Sequence, residues 1–92
     1  MCETYTILLA DDREERRHGL LKMLEGGFVC LEAADAESAK AALSGTLHVD
    51  VLVVDLSMRR AEGYALLEQV RRDSAFAALK ILALTTEGGE NL

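Results

Sequence analysis

The feature of this sequence that most limits its fold is an alternation of short apolar runs with segments of helical spacing. Apolar runs bounded by polar residues are typical of buried parallel strands. We predict four such strands, at residues 5–10, 28–32, 49–55 and 81–85. Strands that alternate with helices at this spacing form right-handed βαβ units, so we predict an α/β fold with a parallel sheet.

Three helices are predicted between these strands, at residues 13–25, 36–44 and 64–73. Apolar residues recur on one side of the first and third helices, and four of them are expected in the core: Leu20, Leu24, Leu66 and Val70. Asp35 is well placed to cap the second helix. We expect residues 1–86 to form a single domain and residues 87–92 to form a flexible tail.

Acidic residues follow or end two of the predicted strands. Asp11 and Asp12 come directly after the first strand, and Asp55 is the last residue of the third. In open parallel sheets the functional crevice lies at the carboxyl ends of the strands. If these two strands are neighbours, three carboxylates meet in that crevice, where their repulsion raises a pKa or is offset by a bound cation.

The composition argues against several other functions. A net charge of −6 disfavours binding to nucleic acid or to anionic membrane surfaces. No apolar stretch is as long as a membrane span and the amino terminus does not resemble a signal peptide, so we expect a cytoplasmic protein. Cys2 and Cys30 are expected to be free thiols, because neither belongs to a cluster with zinc-site spacing.

Two other uses of acids at strand ends do not fit the motifs. A nucleotide-binding fold requires glycines after the first strand, but the turn that begins at Asp11 and Asp12 is acidic and contains none. Such a turn repels phosphate unless a metal intervenes. A phosphatase of the haloacid dehalogenase kind requires a second acid two residues after the first, and Ser57 stands at that position after Asp55.

Four segments, in order along the chain, resemble the motifs of a response-regulator receiver domain. They are the acidic pair Asp11-Asp12, the segment from Asp55 through Met58 to Gly63, the helix that follows Gly63, and the strand from Ile81 to Thr85 and Thr86. Met58 and Gly63 stand three and eight residues after Asp55, as in the receiver pattern. The resemblance implies a flavodoxin-like receiver fold, here shortened to about four strands and three helices.

The resemblance also implies a role for each matching residue. Asp55 would accept a phosphoryl group from a histidine kinase or phosphotransfer protein, and Thr85 would contact that group and act as the switch. Mg²⁺ would be held by four residues: Asp11, Asp12, Asp55 and, through its backbone carbonyl, Ser57. Thr86 and Glu87, like Ser57, would influence access of the hydrolytic water. The chain would then be a phosphoacceptor in signalling and not an enzyme.

Simpler structural roles remain open for some of these residues. Asp12 and Glu15 have the spacing of a capping box, so Asp12 could cap the first helix and Asp11 could be a solvated turn residue. The charged runs at residues 13–17 and 71–73 are interpreted as solvated helix faces. Asp55 is harder to explain in this way, because an acid has little structural purpose at the end of an apolar strand.

The sequence also departs from the receiver pattern. It stops after the fourth strand, and none of Lys22, Lys40 and Lys80 matches the lysine of the family's fifth strand. Arg59 replaces the usual proline. These departures are compatible with a degenerate receiver that serves as an interaction or dimerisation module without phosphotransfer, or with a segment of a longer regulator.

The shortening has an expected structural consequence. Without a fifth helix, part of the sheet face behind the first and third strands should be bare. Without a fifth strand, the fourth should be an open edge. We therefore expect a homo-oligomer that forms through the uncovered face or through the edge of the fourth strand.

Overall fold

The computed structural model describes residues 4–85, which form one parallel four-stranded sheet and three α-helices. In chain order the elements are β1 (Thr6–Ala10), α1 (Glu14–Leu24), β2 (Val29–Ala33), α2 (Ala36–Leu43), β3 (Val51–Asp55), α3 (Glu62–Arg72) and β4 (Lys80–Leu84). Two short 3₁₀ turns, Arg59–Ala61 and Ser74–Phe76, flank α3. The predicted α/β fold is confirmed, with element ends shifted by one or two residues.

The inner strands of the sheet are β1 and β3, since the strand order is β2-β1-β3-β4. These two strands pair directly, with Ile7 opposite Val51 and Ala10 opposite Val54. Both are apolar on their two faces, which is typical of inner strands in a parallel sheet. Because β1 and β3 are neighbours, the acids at their carboxyl ends are brought to the same part of the sheet edge.

The larger core lies between the sheet and the helices α2 and α3. Leu8, Leu52 and Leu66 are fully buried there, and Val54 and Val70 lie beside them. Leu66 and Val70 were predicted as core residues, and that prediction is confirmed. This packed face fixes where α3 begins relative to the end of β3, and so it positions the loop that follows Asp55.

Helix α1 covers the other face of the sheet, where the expectation of a bare surface was wrong. Ile7, Leu9 and Val53 are buried, so the face behind β1 and β3 is not bare. The residues that cover them are the three leucines of α1: Leu20, Leu21 and Leu24. These side chains are long enough to reach both inner strands from one helix. Leu20 and Leu24, predicted as core, are themselves only half-buried, and α1 contains no buried residue.

Exposed apolar surface lies instead at β4. As predicted, β4 is an edge strand, and within residues 4–85 no strand pairs with its outer side. Leu82 pairs in register with Val53, which puts it on the α1 side of the sheet, yet Leu82 is 54% exposed. Of the helices in the described part of the chain, only α1 lies on this side, and it covers β1 and β3 but not β4.

The start of α2 confirms the predicted cap. The Asp35 carboxylate accepts a hydrogen bond from the Ser38 backbone amide at 2.7 Å, and the Ser38 hydroxyl accepts one from the Asp35 amide at 3.3 Å. Cys30 is a half-buried free thiol whose pKa is raised by burial, whereas Cys2 lies outside the described residues. None of the helices described between residues 4 and 85 has the length and apolarity needed to cross a bilayer.

Candidate functional site

The three predicted acids converge at the carboxyl end of the sheet. Asp55 ends β3 and is 1% exposed, and Asp11, directly after β1, is 3% exposed. Asp12 is half-buried beside them. One carboxylate oxygen from each of these residues lies within 4.8 Å of the others, and we call the three the acid cluster. The convergence expected from the strand ends is therefore confirmed.

The simpler roles considered for two of these acids are wrong. The N-cap residue of α1 is Arg13, and α1 has no side-chain cap, so Asp12 does not cap this helix. Asp12 instead accepts hydrogen bonds from Arg59, on the loop after β3. Asp11 is not a solvated turn residue, because it is buried and its Oδ1 accepts the Arg13 amide at 2.9 Å.

Ser57 holds one oxygen of Asp55 from two directions. Its backbone amide donates to Asp55 Oδ1 at 3.0 Å, and its hydroxyl donates to the same oxygen at 2.7 Å. Burial raises the pKa of Asp55, but these two bonds and the positive charge of Arg16 outweigh burial, and the pKa lies below its ordinary value. Asp55 is therefore a carboxylate at neutral pH, the form in which it can act as a nucleophile.

Arg16 is the residue of the site that the sequence reasoning missed. Its Nε donates to Asp11 Oδ2 at 2.8 Å, and its Nη2 donates to Asp55 Oδ2 and, at 3.4 Å, to the Ser57 hydroxyl. The interpretation of residues 13–17 as a solvated face was therefore wrong for Arg16, and also for Arg17, which is bonded to Glu32 and to the Asp11 carbonyl.

Arg16 lies against the acid cluster because of where α1 begins. The first turn of α1 starts just past the acid cluster, so a long side chain on its inner side reaches back over the carboxylates. Burial lowers the pKa of Arg16, but its hydrogen bond to Asp11 and the charges of Asp11 and Asp55 raise it more, so the guanidinium remains charged. The sequence signal for this contact is an arginine four residues after an acidic pair at the start of a helix, but it does not single out Arg16, because Arg13 and Arg17 lie near the same pair.

Arg59 contacts the third acid. Its backbone amide donates to Asp12 Oδ2 at 2.9 Å, and its Nε lies 3.3 Å from the same oxygen. The backbone bond is the main reason that the pKa of Asp12 lies below its ordinary value, with the Arg59 side chain adding to it against burial and the charge of Asp55. The described site thus pairs each carboxylate with an arginine.

The loop that links Asp55 to α3 is backbone-strained and tightly packed. Arg60 and Ala61 have φ angles of 59° and 55°, in the left-handed region that non-glycine residues rarely adopt. Gly63 follows, and a Cβ atom there would stand 2.1 Å from the Asp55 carbonyl oxygen. Only glycine allows α3 to approach the end of β3 this closely. Helix α3 begins at Glu62, two residues earlier than predicted, because this turn leads directly into it.

The remaining site residues are placed as follows. Thr85 is exposed and comes directly after β4, next to Leu84, which pairs in register with Asp55. Thr86 and Glu87 lie outside the described residues. Lys22 and Lys40 are on α1 and α2, and Lys80 begins β4, at the far end of the sheet from Asp55. None of these three lysines is at the acid cluster.

The residues present fit a magnesium ion. Mg²⁺ in proteins is bound through one or two carboxylates together with water and phosphate oxygens. The acid cluster offers three carboxylates within reach of one ion, and two of them are buried. Clustered carboxylates repel one another, so a divalent cation would lower the energy of the group.

Comparison with known proteins indicates the family of this chain. A family model described as the response regulator receiver domain matches residues 7–92. The chain is 33% identical over 84 residues to the nitrate/nitrite response regulator protein NarP of Escherichia coli K12, covering 88% of this chain and 39% of that protein. It is 33% identical to the chemotaxis protein CheY1 of Helicobacter pylori 26695, covering 91% of this chain and 69% of that protein.

A solved structure with the same fold is the chemotaxis response regulator CheY4 of Vibrio cholerae. It superposes with a TM-score of 0.83 at 28% identity, covering 97% of this chain and 74% of that chain. The chain spans about two fifths of the length of the first curated relatives that it matches.

Proposed function

Because this chain belongs to the response regulator receiver domain family, we propose that Asp55 is its phosphoacceptor in two-component signalling. The observation that carries the proposal is an ionised aspartate, 1% exposed, at the carboxyl end of an apolar inner strand. A charged carboxylate is costly to bury, and the fold of β3 alone gives no reason to retain it. We therefore infer that Asp55 is retained at this position because of its chemistry.

The reaction is a phosphoryl transfer onto the Asp55 carboxylate. One carboxylate oxygen forms a bond to phosphorus while the bond from phosphorus to the donor's nitrogen or oxygen breaks. The donor leaves with that electron pair and takes a proton from solvent, and an acyl phosphate remains on Asp55. The lowered pKa of Asp55 keeps the carboxylate free of a proton at neutral pH, so it needs no general base. The proposed donor is a histidine kinase or a phosphotransfer protein.

We assign the metal role to Asp11, Asp12, Asp55 and the backbone carbonyl of Ser57. When bound, Mg²⁺ would supply positive charge that offsets the repulsion between Asp55 and an incoming phosphoryl group. Asp11 and Asp12 come from the end of β1, so they approach Asp55 from the neighbouring strand. Ser57 orients the Asp55 carboxylate through its amide and hydroxyl bonds.

Thr85 is proposed as the residue that contacts the transferred group. It directly follows Leu84, which lies opposite Asp55 in the register of β3 and β4. The Leu84 carbonyl also accepts the Leu56 amide at 2.7 Å, which ties the end of β4 to the loop after Asp55. A movement of Thr85 toward Asp55 would therefore be transmitted along an edge strand that is accessible to a partner.

The test is the intact-protein mass after incubation with Mg²⁺ and a small acyl phosphate. We expect a gain of one phosphoryl group in the wild type and none in Asp55→Asn or in a sample with chelator. Asp50→Asn is the matched control, because Asp50 lies at the opposite end of β3 and its replacement should leave the gain intact. If a folded sample that binds Mg²⁺ gains no phosphoryl group, the chain is a receiver that acts by interaction alone.

A further inference from the structure

We propose that Arg16 is an internal counter-cation of the acid cluster, which competes with Mg²⁺ for Asp11 and Asp55 and so sets the metal concentration at which the site becomes active. The inference rests on the proposed metal role of the acid cluster. It concerns a residue of this chain whose side chain was expected to be solvated, and it assigns that residue a regulatory effect on metal binding.

The geometry of the guanidinium is the first argument. Two of its nitrogens engage two different carboxylates, Nε with Asp11 Oδ2 at 2.8 Å and Nη2 with Asp55 Oδ2. The Arg16 side chain is 24% exposed, whereas those of Asp11 and Asp55 are 4% and 1% exposed. The guanidinium therefore separates the two buried carboxylates from solvent and bridges them, as a bound cation would.

The use of each carboxylate oxygen is the second argument. Asp11 Oδ1 accepts the Arg13 amide, and Asp55 Oδ1 accepts both bonds from Ser57. Arg16 occupies the other oxygen of each acid. A metal ion that approaches the acid cluster from the solvent side meets oxygens already paired with Arg16. Arginine and metal are thus alternative partners for the same atoms.

Charge makes the two cations mutually exclusive at short range. The guanidinium stays protonated under all ordinary conditions, so it cannot yield its place by losing a proton. Two cations a few ångströms apart repel strongly where solvent is excluded. Metal binding must therefore displace Arg16 from Asp11 and Asp55. The free energy needed to break these two ion pairs weakens the binding of the metal.

Neighbouring arginines do not duplicate this role. Arg17 pairs with Glu32 at 2.8 Å and donates to the Asp11 carbonyl, and neither contact involves a carboxylate of the acid cluster. Arg59 approaches only Asp12, and its side chain is 85% exposed, so its charge is well screened by solvent. Arg13 forms no ion pair within residues 4–85, although it lies on the same helix start three residues from Arg16.

The experiment is a Mg²⁺ titration without any phosphodonor, followed by the backbone amide resonance of Ser57 and by calorimetry. Wild type is compared with Arg16→Gln, Arg16→Lys and, as the matched control, Arg13→Gln, which removes one positive charge from the same helix start. We expect Arg16→Gln to bind Mg²⁺ about tenfold more tightly than Arg13→Gln, because the metal no longer displaces a bridging cation.

Two further readouts identify competition as the cause. Arg16→Lys should lie between wild type and Arg16→Gln, because an ammonium group cannot bridge two carboxylates as a planar guanidinium does. In chelator, Arg16→Gln should melt at a lower temperature than wild type, and saturating Mg²⁺ should raise its melting temperature by more. If Arg16→Gln does not fold in chelator, Arg16→Lys is compared with wild type: tighter Mg²⁺ binding by Arg16→Lys supports competition, and equal binding overturns it.

The outcomes separate this inference from the proposed function. If wild type binds Mg²⁺ and the Arg16 variants bind it no more tightly than Arg13→Gln does, Arg16 is not a competitor and the inference is overturned, while the metal site stands. If neither wild type nor any variant binds Mg²⁺ in the millimolar range, the proposed metal role fails and this inference fails with it.

Discussion

One aspartate lies just before β3 and another ends it, and the two differ in their burial and in their partners. Asp50, just before the strand, accepts the Thr6 backbone amide at 2.8 Å, and its side chain is 28% exposed. Asp55, at the other end, is buried among acids and bridged by Arg16. Asp50 accepts a hydrogen bond from one backbone amide near solvent, which is a structural role. Asp55 is buried beside other acids, and its position needs a chemical explanation.

The largest effect that we expect concerns the packing at the Asp55 end. Gly63→Ala would force a Cβ atom to within 2.1 Å of the Asp55 carbonyl oxygen, and backbone atoms on both sides would have to move. We expect a loss of about 3 kcal/mol in the free energy of unfolding, at the upper end of overpacking effects. Urea unfolding followed by circular dichroism measures this.

The matched control for that substitution is Gly19→Ala. Gly19 lies inside α1, where an added Cβ has no atom within 4 Å. Alanine there should stabilise the protein by about 0.5–1 kcal/mol, because glycine is the weaker helix former. Equal effects at the two glycines would mean that α3 does not depend on close contact with the end of β3.

The second prediction addresses the Asp50 end. Asp50→Ala removes the acceptor of the Thr6 amide, and we expect a loss of about 1 kcal/mol in the free energy of unfolding. Phosphoryl incorporation at Asp55 should be unchanged once the sample is folded. A loss of phosphorylation in a fully folded Asp50→Ala sample would contradict the division between a structural end and a chemical end of β3.

A third prediction tests a region that belongs to neither end. We expect the chain to self-associate through β4, because Leu82 is exposed on an edge strand that has no outer partner within residues 4–85. Leu82→Lys should shift sedimentation velocity profiles toward the monomer while phosphorylation at Asp55 is retained. A wild-type monomer at micromolar concentration would remove the basis for this prediction.

The smallest expected effect is a pH dependence at the start of α2. The Ser38 amide lowers the pKa of Asp35, with the Ser38 side chain adding to this against desolvation. The ionised form therefore stabilises the folded state. This stabilisation is present above the unfolded pKa of about 4 and is lost as the pH falls through the lower folded pKa. Asp35→Asn, which caps without titrating, should lack this part of the acid-induced loss of stability in thermal unfolding.

The sequence predicts the strands and the acid cluster well, because both follow from short-range patterns. Continuous apolar runs predict β1 and β3 as buried parallel strands, and because the structure makes them neighbours, their carboxyl ends bring Asp11 and Asp55 to one edge. The position of Arg16 could not be predicted in this way. Whether a charged helix residue faces solvent or the protein depends on where the helix starts. Residues 13–17 are all charged, so the sequence does not show which of them faces the protein.

Two other features of the structure could not be predicted from the sequence, because neither follows from a local pattern. The face behind β1 and β3 was expected to be bare, yet the leucines of α1 bury Ile7 and Val53. The turn before α3 contains no glycine at its two left-handed positions, Arg60 and Ala61, so nothing in their residue types indicates that geometry. In both places the structure is determined by tertiary packing, which a local sequence pattern does not show.

The contact between Arg59 and Asp12 has a consequence for mutational scanning. The shorter of its two hydrogen bonds comes from the backbone amide, which every residue but proline possesses. Most replacements at position 59 would leave that bond in place, and an alanine scan would overlook it. Proline, the residue that receivers usually carry here, would remove the donor altogether. Arg59→Pro is therefore the substitution that would show what this backbone hydrogen bond contributes.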